Sequence, residues 1–386
     1  MNILMIRTEE FPYGSAPAFR ASVMAKLIAT AGHRVIVLAK GLNCAEGEID
    51  GNGCFHDFPA IQAVDVGKYG NSYAKAINSI VNDCKIDLVL KPTSIHNYSD
   101  ISAGLSHYHL PVIMDSVEWY DPTNWRLKRL DPRYYLYEFM WNNVFPKADG
   151  IIAISRLIEN YYKKKLANVV RIPTITDCAQ SDCRTKVDSD EIRFIFAGCL
   201  DEGKDNILHF VEALDRADPV ENKLFFDIYG PGIAEVGKHF GKKAFLLDKY
   251  PQNISVHGKT DQKVVRKRCL EADFSVFFRK KRRSANAGFP TKLGECMTMG
   301  TPAITNNTGD ISLVINSGVN GFMLEEDNAD EIYGVLKQII NTDVKHREAM
   351  RANARKTAEN FFDYRNYLSE INYVLESAVK NKKENR

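Results

Sequence analysis

Short apolar runs alternate with helix-length amphipathic stretches from the first residues onward, and no other feature of the sequence restricts the fold as strongly. "NILMI" at 2–6 leads to a helical pattern from about Pro17 to Ala31, with Val23, Met24, Leu27 and Ile28 on one face, then to Gly32 and the strand "RVIVL". This is a parallel β-α-β unit. Further strands are expected at 87–90, 111–114, 150–154 and 169–172, which makes residues 1–175 a doubly wound α/β domain. Residues 176–190 are polar and aperiodic and read as a linker. A second alternation starts at "IRFIFAG" (192–198), with strands near 224–229, 253–257, 273–278 and 302–305, and predicts a second doubly wound domain over 191–360. From Asn360 one amphipathic pattern carries Phe361, Phe362, Tyr367, Ile371 and Val374, so residues 361–386 are expected as one helix packing back on the first domain.

The 386 residues, 45% hydrophobic and 26% charged, hold enough material for two cores. A net charge of +2 does not advertise a nucleic-acid partner. "NILMI" is too short for a signal-peptide core, and no later run approaches the ~18 apolar residues of a membrane span, so a cytoplasmic protein is expected. The cysteines at 44, 54, 84, 178, 183, 199, 269 and 296 include no CxxC pair and read as buried thiols in a reducing compartment. Cys178 and Cys183 lack a second pair to complete a zinc site, and no carboxylate is evident near His107 and His109 in the sequence; no metal is expected.

In open parallel sheets ligands collect beyond the carboxyl ends of the strands. In the second domain those positions hold Gly198 and the loop to Lys204, then Gly230, Pro231 and Gly232, then Arg279, then Asn306 to Asp310. The stretch "AGFPTKLGECMTMGTPAITNNTGD" (287–310) adds a short helix starting near Thr291, with Leu293, Cys296 and Met297 on one face and Thr291, Glu295 and Thr298 on another. Glycine amides, a lysine, an arginine and a helix N-terminus describe an anion site, and a diphosphate fits it best. In the first domain the corresponding positions are Glu9 to Arg20, Lys91 to Ser94, Asp115 to Tyr120, and Ser155 with Arg156. The two edges are expected to face each other across a cleft.

With these residues assembled, the chain resembles the retaining glycosyltransferases of family 4, which have the two-Rossmann GT-B fold and use nucleotide-sugar donors. The resemblance runs over nearly the full length and rests on "FPYGSAPAFR", "AGHRVIVL", "FPKADGIIAISRLIENYYKK", "RIP", "FAGCLDEGKDN" and "AGFPTKLGECMTMGTPAITN" in that order. It implies that Glu295 hydrogen-bonds the donor ribose, that the turn Gly288, Phe289, Pro290 and Thr291 meets the sugar and phosphates, and that Lys204 neutralises the diphosphate. Gly198, Gly230, Arg279 and Lys292 complete the implied donor site, and Tyr13, Gly14 and Arg20 are implied at the acceptor. No metal or other cofactor is required, because cationic side chains and helix amides stabilise the leaving group. The sequence departs from the family at two positions. Ala287 stands where the first glutamate of its E-x7-E motif would be, and Cys199 where many members have an arginine. Arg279 or Lys292 could restore the charge lost at Cys199, and Arg279 is expected to do so.

Glycosyl transfer also needs an acceptor hydroxyl that loses its proton. "MDSVEWYDP" offers Asp115 and Glu118 at the end of a first-domain strand, as proton acceptors or acceptor-site ligands. Residues 124–147 mix aromatics with Arg126, Lys128, Arg129 and Arg133, which reads either as a core-facing aromatic helix with its charges in solvent or as a surface for an anionic membrane. The expected activity is transfer of a sugar, with retention, to a glycan or lipid-linked acceptor of a surface polysaccharide, by a cytoplasmic protein or one bound peripherally to the inner face of the membrane. Two alternatives stand beside it: a nucleotide-sugar epimerase, and a non-catalytic nucleotide-sugar binder in a glycan-assembly complex. A nicotinamide dehydrogenase is disfavoured, since the first β-α turn has Gly14 but no G-x-G-x-x-G.

Overall fold

The structure, a computed structural model, describes residues 1–187, 191–200, 205–217, 223–249 and 253–384. It separates into two units. The first comprises Met1–Ile175, Ala287–Phe289 and Asp363–Arg386, and the second Thr176–Asn286 and Pro290–Phe362.

The first unit runs β1 (Asn2–Ile6), α1 (Ala16–Thr30), β2 (Arg34–Ala39), β3 (Ile61–Asp65), α2 (Tyr73–Cys84), β4 (Leu88–Pro92), α3 (Tyr98–Leu105), β5 (Val112–Ser116), α4 (Pro132–Asn143), β6 (Gly150–Ala153), α5 (Arg156–Tyr162) and β7 (Val169–Arg171). Its strands form one parallel sheet in the order β3-β2-β1-β4-β5-β6-β7. A parallel sheet is covered on both faces, which is why its central strands β1 and β2 are apolar nearly throughout rather than alternating. Successive side chains still point to opposite sides: Ile3, Met5, Val35 and Val37 pack with α1, and Leu4, Ile6, Ile36 and Leu38 with α2 and α3. Ser15 starts α1 by accepting the Ala18 amide at 3.2 Å.

The second unit runs β8 (Ile192–Ala197), β9 (Asp205–Asn206), α6 (Leu208–Ala217), β10 (Leu224–Tyr229), α7 (Ile233–Phe240), α8 (Phe245–Lys249), β11 (Ile254–Gly258), α9 (Gln262–Glu271), β12 (Phe274–Val276), β13 (Phe278–Arg279), α10 (Arg283–Ala287), α11 (Thr291–Thr298), β14 (Ala303–Asn306), β15 (Gly321–Leu324), α12 (Ala329–Ile340) and α13 (Val344–Phe361). Its parallel sheet has the order β11-β10-β8-β12-β14-β15. Phenylalanines fill one face: Phe210 of α6 lies 5.1 Å from Phe194 and 4.8 Å from Phe226, centroid to centroid.

The last helix, α14 (Leu368–Glu384), belongs to the first unit. Ile371, Val374, Leu375 and Ala378 lie at helical spacing on one face, are fully buried, and join the cluster that holds α1, β1 and β2. Each of the three larger side chains contributes about 1.5–3 kcal/mol by leaving water.

The structure corrects several expectations. The pattern from Asn360 is not one helix: α13 ends at Phe361, Asp363 is extended and its carboxylate accepts the Arg365 amide, and a turn at Tyr364–Tyr367 precedes α14. Residues 273–278 are two strands, because Phe278–Arg279 leaves the sheet to pair antiparallel with Asp205–Asn206. Strands β3 and β15 were not anticipated. Thr176, Asp177 and Cys178, read as linker, are buried in the second unit, where Arg355 donates to the Cys178 carbonyl at 2.7 Å. Cys178, Cys269 and Cys296 are buried thiols, whereas Cys183 and Cys199 are exposed.

Candidate functional site

The carboxyl ends of β8 and β10 meet so closely that only glycine fits. Gly230 has a φ of +110°, and a methyl group there would lie 2.0 Å from the Gly198 carbonyl oxygen. Gly198 in turn makes room for Lys292: a methyl group at 198 would lie 2.7 Å from the Lys292 Nζ. Lys292 reaches from the first turn of α11, lies over the Phe196 ring at 4.4 Å, and donates to Asp205 Oδ2 at 2.5 Å.

Arg279 converges on the same carboxylate, with Nε 3.0 Å from Asp205 Oδ1. Two features hold it there. The β9–β13 pairing sets it opposite Asp205, and Asn306 accepts its amide at 2.8 Å and donates to its carbonyl at 2.7 Å. Burial pushes the Asp205 carboxyl up, but Lys292 and then Arg279 more than offset this and hold it below the usual carboxylate range. Arg279 and Lys292, two of the three cations expected to serve a diphosphate, thus lie mostly shielded with one carboxylate between them. Among the described residues one positive charge is left over.

Helix α11 begins at Pro290, which supplies no side-chain cap, so the N-terminal amides keep their capacity for an anion or a sugar hydroxyl. Gly288, Phe289 and Pro290 are buried just ahead of Thr291. One turn on, the Glu295 carboxyl makes no hydrogen bond or ion pair with a described residue. Burial pushes it up, opposed in part by Arg266 and Lys292. A carboxylate in that position needs donors, and a pair of vicinal hydroxyls would supply them. Thr298 does not share the outward face with Thr291 and Glu295 as expected; it is buried, with its hydroxyl 2.8 Å from that of Thr176. Ala287 is fully buried. Lys204 lies outside the described residues.

In the first unit, Arg20 and Asp115 have a different part from the one expected. Arg20 Nε lies 3.2 and 3.0 Å from the two Asp115 oxygens and its Nη2 lies 2.7 Å from Oδ1, while the guanidinium also donates to the carbonyls of Ile172 and Pro173. Arg20 is 4% and Asp115 2% exposed. This is a closed buried pair tying α1 to β5 and to the chain after β7, and the assignments of Arg20 to the acceptor and of Asp115 to proton transfer are corrected accordingly. Glu118 is half-buried; its carboxylate accepts from Tyr120, whose hydroxyl is held up by burial and then by Glu118. The Tyr13 hydroxyl bonds Glu48, its amide donates to Asn43 at 3.0 Å, and Gly14 follows with a φ of +96°. Tyr13 is 43% exposed, so its ring is open to a ligand.

Sequence reasoning missed Asp205, the carboxylate that holds the two cations. Its signal is an acid directly after a Gly-Lys pair between a strand and a helix.

Residues 181–357 match the family model described as glycosyl transferases group 1. An uncharacterized glycosyltransferase of Methanocaldococcus jannaschii is 22% identical over 258 residues, a match spanning 64% of this chain and 63% of that relative's length. Among solved structures, sucrose-phosphate synthase from Thermosynechococcus elongatus superposes with a TM-score of 0.69 at 13% identity, over 98% of this chain and 99% of the other. Anabaena HepE, solved in complex with UDP, gives 0.69 at 14% identity, over 98% and 100%. Two doubly wound units with these sheets are the GT-B fold of glycosyltransferases.

Proposed function

We propose that the chain transfers a sugar from a nucleoside-diphosphate sugar to a glycan or lipid-linked acceptor in surface-polysaccharide synthesis, with retention at the anomeric carbon. The observation that carries this reading is the Glu295 carboxyl, left without a partner among the described residues one turn into an uncapped helix beside Lys292 and Arg279. Glu295 takes the ribose hydroxyls. The α11 amides, Lys292 and Arg279 take the diphosphate, with Lys204 assigned to it on the sequence match alone. As the bond from the anomeric carbon to the diphosphate breaks, negative charge builds on the leaving oxygen, and these groups stabilise it without a metal. The acceptor oxygen forms the new bond on the same face, and its proton passes to the departing phosphate. Tyr13, Gly14 and Glu118 are assigned to the acceptor.

A lipid-linked acceptor is supported by the surface around α4. Leu127, Leu130, Tyr135, Leu136 and Phe139 are exposed, Leu130 by 83%, among the exposed Arg126, Lys128, Arg129 and Arg133. The same helix buries Tyr137, Met140 and Trp141, so it is an aromatic core helix on one side and an apolar, basic surface on the other. No described helix is long and apolar enough to cross a membrane. Such a surface suits peripheral attachment to anionic lipid.

Calorimetric titration with UDP, GDP, ADP and dTDP tests the donor half; UDP comes first because HepE was solved with it. Binding of at least one, weakened about tenfold in Glu295→Gln, is expected. No heat with any of them would end the reading. Proton NMR of the initial product, showing the anomeric configuration of the donor, tests retention.

A further inference from the structure

In the first unit the strand order reverses between β1 and β4, the place in an open parallel sheet where the strand ends leave a crevice for a ligand. One of the groups there, Lys91, carries a positive charge with no counter-ion among the described residues. Lys91, in β4, is 6% exposed; no hydrogen bond or ion pair to its ammonium occurs among the described residues, and its Nζ lies 4.4 Å over the ring of Tyr98, the first residue of α3. Burial alone pushes its ammonium down to about 8. Arg7, just past β1, is 5% exposed, with Nε buried and unbonded and with Glu9 3.4 Å and Asp115 3.9 Å from its terminal nitrogens. Asp115 is already closed on Arg20.

Helix α3 adds a second attraction. Its N-cap, Asn97, makes no side-chain hydrogen bond, and the acid in its first turn, Asp100, is committed elsewhere, to the Tyr73 amide of α2 at 2.6 Å. The positive end of the helix and the Lys91 ammonium are therefore together, with no carboxylate bonded to the ammonium among the described residues. The recess that Arg7, Lys91 and Asp115 line over Met5, Met24 and Leu90 is too tight for a water molecule, so a ligand would bind at its rim. A buried ammonium without a counter-ion weakens a fold, and an anion arriving there gives it a partner.

We propose that this switch point is a binding site for a phosphoryl group, with Lys91 and the α3 N-terminus as its main ligands and Arg7 as a flanking charge. It rests on the reading above and narrows it: the acceptor is a phosphorylated molecule, either soluble or a lipid headgroup. The test uses the full chain saturated with UDP, so that phosphate cannot be taken up in the diphosphate site, and titrates glycerol 3-phosphate and, separately, vesicles of phosphatidylcholine with phosphatidic acid. At least tenfold weaker binding in Lys91→Met, restored in Lys91→Arg, with UDP affinity unchanged in both, is expected; loss with glycerol phosphate marks a soluble acceptor, loss with vesicles alone a lipid one. Binding of both probes by Lys91→Met as by the parent, or by neither protein, overturns the site. UDP affinity is titrated separately for each protein before saturation, so failure here is distinct from failure of the donor assignment.

Discussion

Gly230 has no room for a methyl group, so Gly230→Ala must displace the Gly198 carbonyl or strain a backbone with positive φ. We expect it to cost about 2–3 kcal/mol, read by urea denaturation. Asp205→Asn leaves Lys292 and Arg279 shielded from water without their counter-charge, and we expect about 3 kcal/mol of destabilisation in the same assay. Glu295→Gln should do the reverse. The Glu295 carboxyl is pushed up in the folded chain, so its charge opposes folding once the pH is above the folded value and not below the unfolded one. The glutamine variant should match or exceed the parent in melting temperature at pH 7, with the gap closing as the pH falls toward 4, while binding nucleoside diphosphate less well. At this scale the sequence places Gly198 and Arg279 at the ends of strands and Lys292 at the opening of a helix, whereas Glu295 is marked out by the family resemblance. It does not expose the pairing of Arg20 with Asp115, since the two are far apart in the chain and a buried clamp uses the same residue types as a ligand site.

Helices report their own stability through the faces they bury. Leu375→Ala removes a fully buried side chain from α14, and a loss of about 2–5 kcal/mol in denaturant stability is expected. Between α6 and the loop before α12, His209 Nδ1 lies 3.1 Å from Asp327, and this hydrogen bond, opposed by burial, raises the imidazole above its ordinary value. The contribution is complete below the unfolded pKa, near 6.5, and disappears as the pH rises through the raised folded value. His209→Asn should therefore melt below the parent at pH 5.5 and approach it at pH 9 in differential scanning fluorimetry. Long apolar runs such as β2 and β10 are legible because burial on both faces needs no partner to be named. β9 and β13 are not: two residues each, they exist only because Asp205–Asn206 and Phe278–Arg279 find one another, and no local pattern encodes that meeting.

For the whole molecule, a near-neutral chain with a localised basic, apolar surface should bind lipid locally and in a salt-dependent way. We expect co-sedimentation with anionic vesicles at low salt, reduced at least fivefold by Leu130→Glu with Phe139→Glu; no sedimentation of the parent at low salt would remove peripheral attachment from the reading. The two wound sheets can be read from the sequence, and so can the membership of the last helix in the first of them, but the path between α13 and α14 cannot, because it turns on a single extended aspartate. That last helix also imposes an order of events during synthesis. The groove that α1, β6 and β7 present to it stays open while the whole second unit is still being translated, so the first unit leaves the ribosome greasy and unfinished and must be shielded until Leu368–Glu384 arrives to close it.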